Sequence, residues 1–305
     1  MSRKIVSITA IILAVLCFWI LTPAAFSAEK KSLVVGSKQF TEQRILGQIV
    51  LLLLEKNGFE AKDQTGLGGT AVVREALVSK QIDLYVEYTG TALLTFLKWK
   101  EPITDPQKCF ETVKKEDAEK NGLVWLPYMP LNNTYCLMMK RDKAQKMGIK
   151  SLSDLAKYVQ AHPDEIKFGL NAEFYARPDG YRPLQKAYDF RFPEDKIIKM
   201  DPGLLYAALR DGQMDVAMGF GTDGRIQGFD LIVLQDDKNF FPVYNASPVV
   251  RKETLEKYPE LEKAFAGLTQ KLDDKSMTNL NFLVDIEHKN PKDVAKTWLE
   301  GAGLL

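Results

Sequence analysis

Short, nearly continuous apolar runs alternate along the chain with longer stretches in which apolar residues recur every three to four positions. The first pattern predicts strands buried on both faces and the second predicts amphipathic helices. Leu33–Ser37 (LVVGS) reads as the first buried strand. Thr41–Lys56 reads as a helix with Thr41 at its N-cap and Gly58 just past its end. A short strand follows, and then Gly66, Gly68, Gly69 and Thr70 read as a turn before a helix over Ala71–Ser79. The next strand lies in Ile82–Thr91 (IDLYVEYTGT), and a helix runs from Thr91 to Trp99. This is βαβαβα order. Asp105–Asn121 reads as a charged helix with Lys114, Lys115, Glu116 and Asp117 on a solvated face, and Leu123–Leu126 as a strand.

The Ile82–Thr91 stretch has a counterpart further on. Ala76–Tyr88 (ALVSKQIDLYVEY) matches Ala208–Phe220 (ALRDGQMDVAMGF), pairing Gln81 with Gln213, Asp83 with Asp215 and Tyr88 with Phe220. Each copy reads as a helix end, a tight turn and a buried strand closed by an aromatic. Open α/β sheets bind ligands at the carboxyl ends of their strands. Two explanations stand: a pattern common to any pair of βαβ units, or two similar lobes that each offer an aromatic to a shared cleft.

Around the second copy, Ser151 and Ser153 precede a helix through Gln160, Phe168–Leu170 is a strand, and Asn171–Gly180 (NAEFYARPDG) is a polar loop. Tyr181–Tyr188 is a helix, Ile197–Met200 a strand and Leu204–Asp211 a helix. Tyr135–Met139 (YCLMM) and Phe240–Val250 (FFPVYNASPVV) are extended and flank this region, so they read as crossover strands. Lobe I is then residues 29–132 plus 243–305, and lobe II residues 133–242. From Lys252 onward the chain reads as helices broken at Pro259 and at Asn290–Pro291, returning to cover lobe I.

Residues 1–28 read as a signal peptide. Arg3 and Lys4 precede an apolar run from Ile5 to Leu21, then Pro23 and small residues to Ala28, with cleavage near Ser27 or Ala28. A leader retained as an anchor is the alternative. Leu16 is too large for a lipobox ahead of Cys17. The 305 residues, 46% hydrophobic and 27% charged, suit two globular domains. Lys and Arg total 41 against 40 for Asp and Glu, so no basic excess exists to neutralise nucleic-acid phosphates or an acidic membrane. Cys109 and Cys136 read as buried thiols, since Cys136 lies in the apolar TYCLMM, although the exported compartment permits a disulfide.

The chain carries no HExxH, GxSxG, P-loop or dinucleotide fingerprint, and no spacing of zinc or calcium ligands. His162 and His288 both sit in polar surroundings. An enzyme on this fold would have only Glu87 and Asp223 to draw on. Glu87 either faces a cationic ligand or pairs with a nearby Arg or Lys. The aromatics are more informative. Tyr88 and Phe220 end the paired strands, and Tyr135 and Tyr244 lie on the two crossovers, so rings from four separate segments converge. Ring faces attract quaternary ammonium through their quadrupole.

SKQFTEQ (Ser37–Gln43), GGT (Gly68–Thr70), EYTGT (Glu87–Thr91), RPDG (Arg177–Gly180), TDGRI (Thr222–Ile226) and FFPVYNASPVV together resemble the glycine betaine, choline and carnitine binding proteins of osmoprotectant ABC importers. The resemblance implies an α/β, two-lobed periplasmic-binding-protein fold, type II-like, with a cleft between lobes joined by two crossover strands. It places Tyr88, Tyr135, Phe220 and Tyr244 around a trimethylammonium group. It assigns Lys38, Thr91 and Arg177 to a ligand carboxylate, and Asn133 to a polar position in the cleft; the alternative for the cations is that Arg177 pairs with the nearby Glu173 or Asp179 and Lys38 points to solvent. Phe220 departs from the family's usual Tyr. The expected partners are a small zwitterionic or cationic quaternary amine and an inner-membrane ABC permease, with no cofactor, metal, nucleic acid or catalytic residue, in a periplasmic or extracytoplasmic monomer. An enzyme on the same fold and a membrane-tethered sensor remain the alternatives.

Overall fold

The computed structural model describes residues 31–305; the stretch expected to be a signal peptide, with Cys17, lies outside the described residues. The strands fall into two five-stranded sheets. The first contains β1 (Ser32–Lys38), β2 (Glu60–Gly68), β3 (Leu84–Tyr88), β4 (Leu123–Trp125) and β10 (Ala246–Arg251), in the spatial order β2-β1-β3-β10-β4. The second contains β5 (Tyr135–Lys140), β6 (Phe168–Leu170), β7 (Ile197–Lys199), β8 (Val216–Phe220) and β9 (Leu231–Val233), in the order β7-β6-β8-β5-β9.

The two sheets match strand for strand. In each, parallel strands occupy one side, β2-β1-β3 and β7-β6-β8, and an antiparallel pair completes the other, β10 with β4 and β5 with β9. The sequence repeat is therefore the central strand of two similar lobes. Its shared aspartate has a structural job in both copies. Asp83 accepts from Val34 N at 2.7 Å and pairs with Arg251 at the end of β10. Asp215 accepts from Lys167 N at 2.7 Å and pairs with Lys143 just after β5. Each carboxylate ties the start of the central strand to both neighbours.

β3 is buried along its whole length, with alternate residues feeding two cores. Leu84, Val86 and Tyr88 join a core shared with the Thr41–Lys56 helix that continues into the second lobe. Tyr85 joins a second core with Val73, Leu77, Val113 and Trp125. The Thr41–Lys56 helix is apolar almost all round, from Ile45 to Leu54, because it is sandwiched between the first sheet and the C-terminal helices Asp274–Asp285 and Pro291–Gly301. The return of the C-terminal helices to the first lobe is as the sequence predicts.

Several local expectations are corrected. YCLMM is not a crossover strand: β5 lies wholly inside the second sheet, between β8 and β9. Strand pairing in FFPVYNASPVV begins only at Ala246. The chain crosses in the irregular segments just before these strands, which meet at the Asn132↔Asn245 bridge. Thr41 is not an N-cap, because its hydroxyl donates to Asp285 Oδ1 at 2.7 Å and Phe40 holds the cap position without a side-chain bond. Gly66 and Gly68 belong to β2, where positive φ at both accommodates a bulge opposite Gly36 and Lys38. The predicted Thr91–Trp99 helix is a single turn, Thr89–Thr91, running into the π-helical turn Ala92–Phe96. Asp117 is fully buried, holding Arg74 bidentately and accepting from Trp125 Nε1 at 2.7 Å. Cys109 and Cys136 are free, buried thiols.

Candidate functional site

The carboxyl ends of β1, β3 and β8, the amino end of β5 and the two crossing segments border a cavity of about 800 Å³. The strand register explains which rings reach it. Tyr135 is the direct partner of Phe220, so the ends of β5 and β8 present adjacent aromatics. Tyr88 pairs with Ala246, which places Tyr244 just beyond the end of β3. Gly90 makes that approach possible, since a Cβ there would lie 2.5 Å from Val243 O and 3.0 Å from the Tyr244 ring. All eight residues singled out in the sequence, Lys38, Tyr88, Thr91, Asn133, Tyr135, Arg177, Phe220 and Tyr244, line the cavity.

The rings form a chain more than a closed box. Tyr135 lies 5.3 Å from Phe220 and 5.5 Å from Tyr244, centroid to centroid, the latter edge-on. Tyr88 joins through Phe40, which stacks on Tyr88 at 6.4 Å and on Phe220 at 5.2 Å. The Phe40–Phe220 stack bridges the two lobes. Sequence reasoning did not assign Phe40 to the site, although it lies in SKQFTEQ.

Glu42, in the same motif, was also missed. It is 2% exposed and accepts from Tyr88 Oη at 2.7 Å, Asn133 Nδ2 at 2.9 Å, Asn281 Nδ2 at 3.1 Å and the Thr222 hydroxyl. These donors come from lobe I, a crossing segment, a C-terminal helix and lobe II. Burial pushes the Glu42 carboxyl above its ordinary range, and the four hydrogen bonds pull it down without cancelling that rise. Because Glu42 can only accept when ionised, both amide nitrogens must face it. That turns Asn133 Oδ1 and Asn281 Oδ1 the other way, and these buried acceptors have no hydrogen-bond partner among the described residues.

Both cations assigned to a ligand carboxylate already hold carboxylates of the protein. Lys38 Nζ lies 2.6 Å from Glu87 Oε1, which also accepts from Tyr88 N at 2.7 Å, so Glu87 takes the pairing role and not the ligand-facing one. Arg177 holds Asp179 bidentately, Nε at 2.7 Å and Nη2 at 2.6 Å. Its Nη1 reaches Glu173 at 3.2 Å and its Nη2 reaches the Thr91 hydroxyl at 3.5 Å. A two-pronged grip on a ligand by Arg177 is thus already taken by Asp179, whose other role is to accept from Tyr244 Oη. The same cations lie over ring faces, Lys38 Nζ 5.1 Å from the Tyr88 centroid and Arg177 Cζ 5.4 Å from that of Tyr135. Asp223, the other acid considered for catalysis, is bound to Arg225 at 2.6 Å. No cluster of His, Cys, Asp or Glu among the described residues could hold a metal ion.

Residues 31–301 match the family described as the substrate binding domain of ABC-type glycine betaine transport systems. A glycine-betaine-binding protein of Pseudomonas aeruginosa is 42% identical over 287 residues, covering 92% of this chain and 91% of that protein. An ergothioneine transport permease/ergothioneine binding protein of Helicobacter pylori is 41% identical over 298 residues, covering 96% of this chain and 52% of that longer protein. The crystal structure of a glycine betaine/carnitine/choline ABC transporter protein superposes with a TM-score of 0.73 at 32% identity, covering 90% of this chain and 99% of that one.

Proposed function

The chain belongs to the family of substrate-binding domains of ABC-type glycine betaine transport systems, and from that premise we propose that it captures a quaternary-ammonium betaine between its lobes for delivery to an ABC permease. The family is one of transport binding proteins, not enzymes, and the architecture is that of a type II two-lobed binding protein. In this reading the protein works outside the cytoplasm after export by its leader, and the lobes close about Asn132–Asn133 and Tyr244–Asn245. The observation that carries the reading is the run of rings Tyr88, Phe40, Phe220, Tyr135 and Tyr244 along one cavity. Aromatic faces shielded from water favour an onium group over a hydrated cation. Lys38, Thr91 and the outer nitrogen of Arg177 then face the ligand's carboxylate, glycine betaine or a relative being the favoured ligand.

A second reading rests on Asn133 Oδ1 and Asn281 Oδ1. Glycine betaine has no N–H or O–H to satisfy these buried acceptors, whereas carnitine and choline each bring a hydroxyl and ergothioneine a ring N–H. An onium ligand that also donates a hydrogen bond suits these two atoms better.

Calorimetric titration of the mature protein with glycine betaine, carnitine, choline and ergothioneine tests both. Tightest binding by glycine betaine supports the first reading, and a clear preference for a donor-bearing compound supports the second. Absence of binding by all four would remove the quaternary-ammonium assignment.

A further inference from the structure

Lys38 and Arg177 are faced by three carboxylates, Glu87, Asp179 and Glu173. Glu87 and Asp179 are buried, and their bonds to the cations are short. Glu173 differs in each respect. Its side chain is 36% exposed, its bond to Arg177 Nη1 is 3.2 Å long, and it sits in the first turn of the short Ala172–Ala176 helix at the cavity wall. It also crosses the cleft: Glu173 Oε2 would lie 3.5 Å from a Cβ on Gly69, the cap position of the Thr70–Val78 helix of the opposite lobe. That helix has no side-chain cap, and Glu173 Oε2 lies beside its cap residue, near the positive end of its dipole. Burial pushes the Glu173 carboxyl up, but Lys38, the Thr70 hydroxyl and Arg177 outweigh this and hold it below its ordinary range.

We propose that Glu173 is a specificity-determining residue, an internal carboxylate that competes with the carboxylate of a zwitterionic ligand for Arg177 Nη1, the field of Lys38 and the amino end of the Thr70–Val78 helix. The inference rests on the quaternary-ammonium reading of this cleft. A betaine must turn Glu173 out toward solvent before its own carboxylate is seated, since two carboxylates beside each other repel. A choline-type cation brings no anion, so Glu173 stays in place and adds attraction. Asp179 keeps Arg177 fixed in either case, which confines the competition to the one nitrogen that Glu173 occupies.

The test is calorimetric titration of glycine betaine and choline against wild type, Glu173→Gln and Glu173→Ala, with thermal melts confirming that both variants are folded. Removing the charge should tighten glycine betaine binding by about fivefold and weaken choline binding by a similar factor, the scale of one partly exposed ion pair. A change of the same sign for both ligands, as loss of a merely structural contact would give, overturns the proposal. So does no change for either. Wild type that binds none of glycine betaine, choline, carnitine and ergothioneine refutes the reading of the cleft itself and takes this inference with it, whereas wild-type binding with a flat Glu173 series sinks the inference alone.

Discussion

Glu42→Ala should destabilise the protein more than most substitutions in the cavity wall. Removing the carboxylate strands four donors, the Tyr88 and Thr222 hydroxyls and the Asn133 and Asn281 amides, in a place where Glu42 itself is 2% exposed. Each stranded buried donor costs about 1–3 kcal/mol, so the gross loss is roughly 4–8 kcal/mol when each is near the middle or low end of that range. Against this stands relief of the burial that raises the carboxyl's pKa, a penalty of a few kcal/mol, and cavity water can reach some of the donors. The expected net loss is about 2–4 kcal/mol, or roughly 3–6 °C in Tm for a chain of this size. Urea unfolding followed by circular dichroism reads it directly. A double-mutant cycle of Glu42→Gln with Thr222→Val then isolates the bond that joins the lobes. An unfolding free energy for Glu42→Ala within about 0.5 kcal/mol of wild type would refute the claim that this carboxylate organises the site, since that is the scatter of ordinary surface changes.

Phe220 offers the cleanest test of the rings, because it is partly exposed and uncharged, whereas Tyr88 and Tyr244 also hold Glu42 and Asp179. Phe220→Ala should weaken binding of a trimethylammonium ligand by about five- to thirtyfold with little loss of stability, and unchanged affinity in calorimetry would exclude its face from the contact. For pH, the raised Glu42 carboxyl means that the folded state holds a proton more tightly than the unfolded chain. Its contribution to stability is therefore complete below the unfolded value of about 4.3 and is lost as pH rises through the folded value, so Glu42→Gln should flatten that part of the stability–pH curve. Burial pushes the Cys109 thiol up to about 11 and Cys136 further still. Neither should be alkylated by iodoacetamide at pH 8 until denaturant is added, and peptide mapping of native protein would reveal any exception.

The lobes were legible because a central strand buried on both faces and closed by an aromatic is a local pattern, written twice. The crossing points were harder to read. β5 is as apolar as any crossover strand would be, and only its pairing with β8 and β9 shows where it belongs. Asp117 was hidden inside a charge run, yet it continues the stripe Cys109, Phe110 and Val113 at helical spacing, which marks the buried face. Phe40 and Glu42 lie within SKQFTEQ, but the motif alone gives neither a role. Their partners lie on elements far along the chain, and no periodicity in the motif announces an apposition made by the fold. Pairing was legible in part: Asp179 and Glu173 lie within four residues of Arg177, and Glu87 reads as a partner for some Lys or Arg. That its partner is Lys38, and that Lys38 turns inward, follows only when β1 and β3 lie side by side.

The sheet orders carry a consequence for the order in which the molecule is assembled. Every strand of the second sheet lies between Tyr135 and Val233, one unbroken length of chain. The first sheet has no such independence, for β10 is the strand that joins β3 to β4, and it arrives only after the whole second lobe has been made. A chain emerging from its amino end therefore completes its later lobe before its earlier one. Until Ala246–Arg251 appears, β3 keeps one edge unpaired, and with it Tyr88 and Glu87 lack the strand that orders their end of the cavity.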